Sequence, residues 1–212
     1  MSSGLYIELL GAVSPFELGV ADLKVRMLRS VDGQPVRPKR TAAVLVPVID
    51  RIGGPEILLT VRSKRLEQHP GQVSFPGGSV DRNDRSAVST ALREAEEEIG
   101  LDFSQVSPLG FLDRLDTNSD FRVLPVVGLV KPDFISRPNF DEVAEVFTIP
   151  FELATDYKAY SHEMVQRNGQ SFELSSLQWQ EHRIWGVTAA ILLNLGKRMY
   201  RANAALREQH LS

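Results

Sequence analysis

The run Arg93-Glu94-Ala95-Glu96-Glu97-Glu98 gathers four carboxylates and one guanidinium into six residues. On a helix each residue advances about 100°, so Glu94 and Glu98 stand roughly 40° apart on neighbouring turns, with Glu97 roughly 60° to the other side of Glu94. These three share one narrow arc, and Glu96 points elsewhere. A solvated acidic face is the ordinary reading of such a helix, and two physical points oppose it. Glu94 and Glu98 are like charges at i and i+4, and no Lys or Arg stands four residues beyond any of the three. They also crowd the last turns of a helix that Gly100 should stop, where the macrodipole disfavours a carboxylate by up to ~1 kcal/mol. A divalent cation such as Mg²⁺ or Mn²⁺ resolves both conflicts, because a hard ion takes several carboxylate oxygens and leaves positions for phosphate and water. Glu94 and Glu98 are the leading candidate ligands, with Glu97 beside them. Of the three, Glu97 fits a plain solvated face best. Arg93 can pair with Glu97 at i+4 or fork onto another carboxylate.

Upstream, Arg62, Lys64, Arg65 and His69 form the dense basic group of the chain's middle, just ahead of Gly71 and Gly77-Gly78. Basic side chains and free backbone N–H groups suit phosphates, and the acidic helix would hold the cation that bridges them. These residues, with Gly77 and Gly78, are the candidate substrate-binding set. An incidental loop histidine and ordinary turn glycines are the alternatives. A base for water attack should be a carboxylate free of direct metal ligation. Glu97, on the metal face but rotated away from Glu98, is one candidate, and Glu142 and Glu145 are others because they flank an otherwise apolar, strand-like run.

The elements that must position these groups can be read from the punctuation of the 212 residues. Apolar Val88, Ala91, Leu92, Ala95 and Ile99 make a stripe on a helix from about Ser86 to Ile99, with Asp84 as the expected cap and Gly100 as the stop. Thr41 to Val48 and Ile57 to Arg62 read as a hairpin, while Phe75-Pro76-Gly77-Gly78 reads as neither helix nor regular strand. Further strands are expected at Leu109 to Leu115, Val123 to Val130 and Val143 to Ile149, and an apolar helix at Trp185 to Tyr200. One helix is expected from Ser14 to Arg29, and a turn at Asp32-Gly33-Gln34-Pro35. The order of elements favours an α/β sandwich with a mixed sheet: residues 1–40 as an extension packed on one domain, 41–212.

A net charge of −3 gives no overall positive field to draw nucleic acid or an anionic membrane, so a phosphate ligand must be gripped locally. The absence of cysteine leaves oxygen and histidine as metal ligands. No apolar stretch approaches membrane-spanning length, and Met1 to Val20 lacks the pattern of a secretory signal, so a cytoplasmic protein is expected. A homodimer is left open.

Arg93-Glu94-Ala95-Glu96-Glu97-Glu98-Ile99-Gly100-Leu101 resembles the second half of the Nudix box, R-E-U-x-E-E-x-G-U with U aliphatic or small. The first half departs: Ser79 and Arg85 stand where the box has glycine and glutamate, Gly78 lies one residue early, and the nearest acids are Asp81 and Asp84. One extra residue between Gly78 and Arg93 accounts for this. It makes Asp84 a candidate partner of Arg93 in place of a glutamate. The departure is similar to the coenzyme A pyrophosphatase branch, whose upstream signature is close to LLTxRSxxLRxHxGQVSFPGG. Leu58 to Gly78 follows it nearly throughout, with Glu67 where the branch has a basic residue. Pro125-Val126-Val127-Gly128, Glu142 to Phe147 and Ile184 to Ala189 are also similar, whereas Asp120 stands where glycine is common.

The resemblance spans roughly residues 41–193. It implies a Nudix-type α/β/α sandwich and metal-assisted attack of water on phosphorus. It also implies coenzyme A or its thioesters as substrate, cut to phosphopantetheine and 3′,5′-ADP. A pyrophosphatase for ADP-ribose, dinucleotide polyphosphates or nucleoside triphosphates is the rival enzyme, and a non-catalytic Nudix-fold binding module the rival of another class.

Overall fold

The computed structural model describes residues 3–15, 40–117, 121–167 and 170–209. The expected turn at Asp32 to Pro35, Asp120, and all but the start of the helix expected from Ser14 lie outside them. Ser14 itself opens no helix: it makes an isolated antiparallel bridge to Phe111.

The frame is set by strands that are apolar at nearly every position. In β1 (Arg40–Arg51), Ala43, Leu45 and Ile49 face one core, while Ala42, Val46 and Val48 face another. Strand β7 (Phe121–Val130) divides in the same way, Leu124, Val126 and Val130 against Val123, Val127 and Leu129. Side chains alternate across a strand, so an unbroken apolar run means a strand covered on both faces. These two strands pair in parallel from Arg40↔Phe121 to Ile49↔Val130 and form the middle of an eight-stranded sheet. Around them, β2 (Gly54–Arg62) pairs with β1, β3 (Val73–Ser74) and β8 (Val143–Pro150), all antiparallel. On the other side β5 (Val106–Phe111) and β6 (Leu115–Asp116) pair antiparallel with β7. The sheet is mixed, as the sequence implies.

Helix α2 (Ala87–Ile99) covers one face through Ala87, Ala91, Ala95 and Ile99. The other face is covered by α1 (Ser3–Ala12), the short α3 (Phe151–Thr155) and the long α4 (Gly186–Gln209). The result is an α/β/α sandwich. A second sheet of three strands, β9 (Ser161–Arg167), β10 (Gln170–Trp179) and β11 (His182–Trp185), leads into α4. Arg198 of α4 ties the N-terminal segment down: it donates to Ala12 O, to Ser14 Oγ at 2.8 Å, and to Asp113 Oδ1 at 2.7 Å.

Three local expectations need correction. The cap of α2 is Ser86, not Asp84: Ser86 Oγ accepts from Ser89 N at 3.1 Å, and Ser86 N donates back to Ser89 Oγ at 2.9 Å. Asp84 is engaged elsewhere. Gly77 to Ser79 do form a strand, β4, paired with Ala42 to Val44, because glycine at 77 lets the backbones meet where a Cβ would sit 2.5 Å from Ala43 O. The strand expected from Leu109 to Leu115 starts at Val106 and breaks after Phe111, with an irregularity in pairing between Pro108 and Gly110.

Candidate active site

Helix α2 ends at Gly100, whose left-handed φ of 68° turns its N–H back onto Ala95 O and Glu96 O. That cap sets the last turn, and with it the carboxylates, against the start of β4. Glu98 is 4 % exposed. Its Oε2 accepts from Gly77 N at 3.2 Å, and its Oε1 lies 4.0 Å from Arg62 Nη1. Burial pushes its carboxyl up to about 8, with Glu94 and Glu142 adding to the rise and the Gly77 N–H and Arg62 opposing it. Glu94 is also raised by burial, against the pull of Arg93, and both Glu97 and Glu142 push it further up. Glu94, Glu98 and Glu142 thus feel one another as like charges, as residues sharing one site must.

Arg93 organises the outer side of this group. Its Nε and Nη2 meet Asp84 Oδ1 and Oδ2, Nη2 also donates to Ser79 O at 3.3 Å, and Nη1 reaches Glu94 Oε1 at 2.9 Å and Glu97 Oε2 at 3.0 Å. Asp84, the candidate raised by the displaced first half of the motif, is the partner that the guanidinium forks. Glu97 keeps an exposed side chain. Glu142 arrives on a loop that docks under the helix end: Asn139 N donates to Glu98 O at 2.9 Å, and Asn139 Nδ2 to Glu142 Oε1 at 3.2 Å.

The basic group divides. Arg62, at the end of β2, turns inward to Glu98 and donates through Nε to Gln68 O. His69 sits at a φ of 56°, a left-handed conformation uncommon for a residue with a Cβ. Both line a cavity of about 420 Å³. Lys64 and Arg65 do not line it: both are exposed, and Arg65 pairs at the surface with Asp141 at 3.0 Å. The remaining walls are largely apolar, from Val44, Phe75, Phe121, Val123, Trp185 and Val187, with Gly77 on the side toward Glu98. Sequence reasoning left Phe121 and Trp185 out of the site. They stand 64 residues apart in sequence, on β7 and β11, and only the cavity they share brings them together.

The carboxylates fit a hard divalent cation by charge and chemistry, and Gly78 shapes their cradle. A Cβ there would stand 2.5 Å from the Glu94 carboxylate. They are spread in the structure, drawn to Arg93, Gly77 and Arg62. Among the described residues, the acid and histidine ligand atoms that meet within 4.8 Å of one another belong instead to Glu145, Glu181 and His182.

Residues 39–169 match the NUDIX domain. A protein from Pectobacterium atrosepticum, described as an uncharacterized Nudix hydrolase NudL, is 44% identical over 162 residues, covering 76% of this chain and 84% of that one. The chain belongs to the Nudix family. An Escherichia coli K12 relative of the same description is 39% identical over 172 residues, 81% of this chain and 89% of its own. Two solved structures share the fold at a TM-score of 0.50. One is a MutT protein from Methanosarcina mazei Go1, 18% identical, covering 79% of this chain and 99% of that one. The other is a MutT/nudix family protein from Enterococcus faecalis, 17% identical, covering 95% and 75%. The chain is therefore a Nudix hydrolase. Among its described residues no helix is long and apolar enough to cross a membrane.

Proposed function

We propose that this Nudix hydrolase cuts the diphosphate bond of coenzyme A or an acyl-coenzyme A, giving phosphopantetheine and 3′,5′-ADP. The observation that carries the reading is one shared wall: Arg62 and Gly77 both contact Glu98 and both line the largely apolar cavity. A diphosphate held at the glutamates would send one arm directly into that cavity. Its aromatic and aliphatic lining suits a base or a pantetheine chain better than a free polyphosphate. The upstream stretch from Leu58 to Gly78, which supplies Arg62, His69 and Gly77, carries the longest resemblance to the coenzyme A branch.

In this reading Glu94 and Glu98, with Glu97, hold Mg²⁺ or Mn²⁺, which supplies Lewis-acid polarisation of the phosphates when bound. Arg93, fixed by Asp84, keeps Glu94 and Glu97 oriented. Arg62, beside Glu98 at the cavity wall, would bind a phosphate oxygen. Glu97, where it stands free of the metal, or else Glu142 takes the proton of the attacking water. Trp185 and Phe121 seat the arm that enters the cavity.

The test is a panel of coenzyme A, its dephospho form, ADP-ribose and a dinucleotide polyphosphate with Mg²⁺ or Mn²⁺, the products identified by mass. Coenzyme A should be preferred to its dephospho form, and Arg62→Ala should narrow that gap. Trp185→Ala should raise KM more than it lowers kcat. A clear preference for ADP-ribose would replace this reading by the rival one. The outward turn of Lys64 and Arg65 favours that rival, since it leaves fewer cations for a 3′-phosphate.

A further inference from the structure

His182 opens β11, paired across the hairpin with Trp179, and is 8% exposed. Its ring stacks on Phe147 of β8 with centroids 3.9 Å apart and planes 17° from parallel. The imidazole is thus fixed between the small sheet and the large one. Two carboxylates converge on its Nε2 from different elements: Glu145 Oε1, from β8, at 3.3 Å, and Glu181 Oε1, from the β10–β11 turn, at 3.9 Å.

A protonated imidazole held by carboxylates would bring charge-assisted hydrogen bonds to about 2.7–2.9 Å, and one N–H cannot point at two acceptors. The observed separations are longer. They suit another arrangement, because ligand atoms around a four-coordinate zinc with bonds of about 2.0–2.1 Å stand roughly 3.3 Å from one another. One imidazole nitrogen and two carboxylates form a donor set that such an ion accepts, with water completing the shell, whereas Mg²⁺ demands octahedral oxygen and stays hydrated. The buried ring supplies the rigid ligand, and the two exposed glutamates need close in only slightly.

We propose that His182, Glu145 and Glu181 bind a zinc-class divalent ion that clips the β9–β11 sheet to β8. The site is separate from the glutamate helix. Glu145 shares its face of β8 with Phe147 and Ile149, which belong to the core beneath α4, while Glu98 reaches the sheet from the α2 side. Beyond His182, β11 runs directly to Trp185 and Gly186 in the cavity wall. The ion would hold that wall in register.

The experiment is a Co²⁺ titration of the full chain in excess Mg²⁺, added to compete for the glutamate helix that the proposed function makes its site, followed by visible absorption and then by displacement with Zn²⁺. Wild type should take up a single equivalent with the intense bands of four-coordinate cobalt, and Zn²⁺ should bleach them and raise the melting temperature. Glu181→Gln and Glu145→Gln should each weaken uptake by about tenfold or more. Melting in chelator shows that these exposed replacements leave the fold intact, which His182→Gln, at a buried ring, does not guarantee. Absent or six-coordinate bands in wild type, or unchanged affinity in both glutamine variants, overturns the site whatever substrate the enzyme prefers.

Discussion

Arg93 closes a two-pronged fork on Asp84, with Nε 3.1 Å from Oδ1 and Nη2 3.0 Å from Oδ2. The Arg93 hydrogen bond is the main reason the Asp84 carboxyl lies below its ordinary value; burial opposes it, and the Asp81 N–H and Thr90 hydroxyl assist. A carboxyl depressed in the folded state stabilises the fold above its unfolded value, here 3.8, and that contribution fades as pH falls through the folded value. Asp84→Asn should therefore cost about 2 kcal/mol near neutrality. In urea unfolding the gap between wild type and variant should stay constant above that value and close below it.

Adjacent glycines separate stability from function. A Cβ at Gly77 meets backbone, 2.5 Å from Ala43 O and 2.6 Å from Val44 Cα, whereas one at Gly78 meets only the far end of Glu94. Gly77→Ala should lower the melting temperature by several degrees, on the order of 1–3 kcal/mol. Gly78→Ala should melt close to wild type yet lose about tenfold or more in kcat, because the carboxylate it displaces is a proposed metal ligand.

Glu98→Gln should fold and lose activity by about 100-fold or more. Turnover equal to wild type at limiting metal would remove Glu98 from the ligand set. The variant also has a signature without metal. Burial raises this carboxyl from 4.5 to about 8, so chelated wild type should lose stability as pH climbs through that window, when the unfolded chain ionises and the folded one resists. Glu98→Gln should show no such decline.

For the base, the measurement is the pH profile of kcat at saturating metal for Glu97→Gln and Glu142→Gln. The acidic limb should vanish in one variant, Glu97→Gln in the first instance, since its carboxylate is exposed and held toward the site only by Arg93. Unchanged limbs in both would exclude the pair.

What the sequence disclosed was local and periodic. The stripe of Ala91, Ala95 and Ile99, the stop at Gly100 and the arc of Glu94 and Glu98 follow from helix geometry alone, and all are where that geometry puts them. Asp84 and Ser86 are both good capping residues in sequence, and only tertiary contact shows that Arg93 claims the aspartate and leaves the cap to the serine. Helix α1 escaped notice because Leu5, Ile7, Leu9 and Leu10 surround it with apolar side chains and leave no stripe to detect. Charge density around Arg62 gave no direction. Nothing in the order Arg62, Lys64, Arg65 says that the first turns inward and the last meets Asp141 at the surface.

The parallel pairing of β1 with β7 has a bearing on how the enzyme is made. Helix α2 lies wholly between these strands in sequence, and its buried stripe rests on Leu124 and Val126 as well as on β1. A chain made only as far as Ile99 already carries Arg62, Arg93, Glu94, Glu97 and Glu98, yet lacks β7, half of the floor on which they assemble. A chain that ends before β7 lacks that floor, and the site is whole only once Glu142 and the cavity wall at Trp185 have followed.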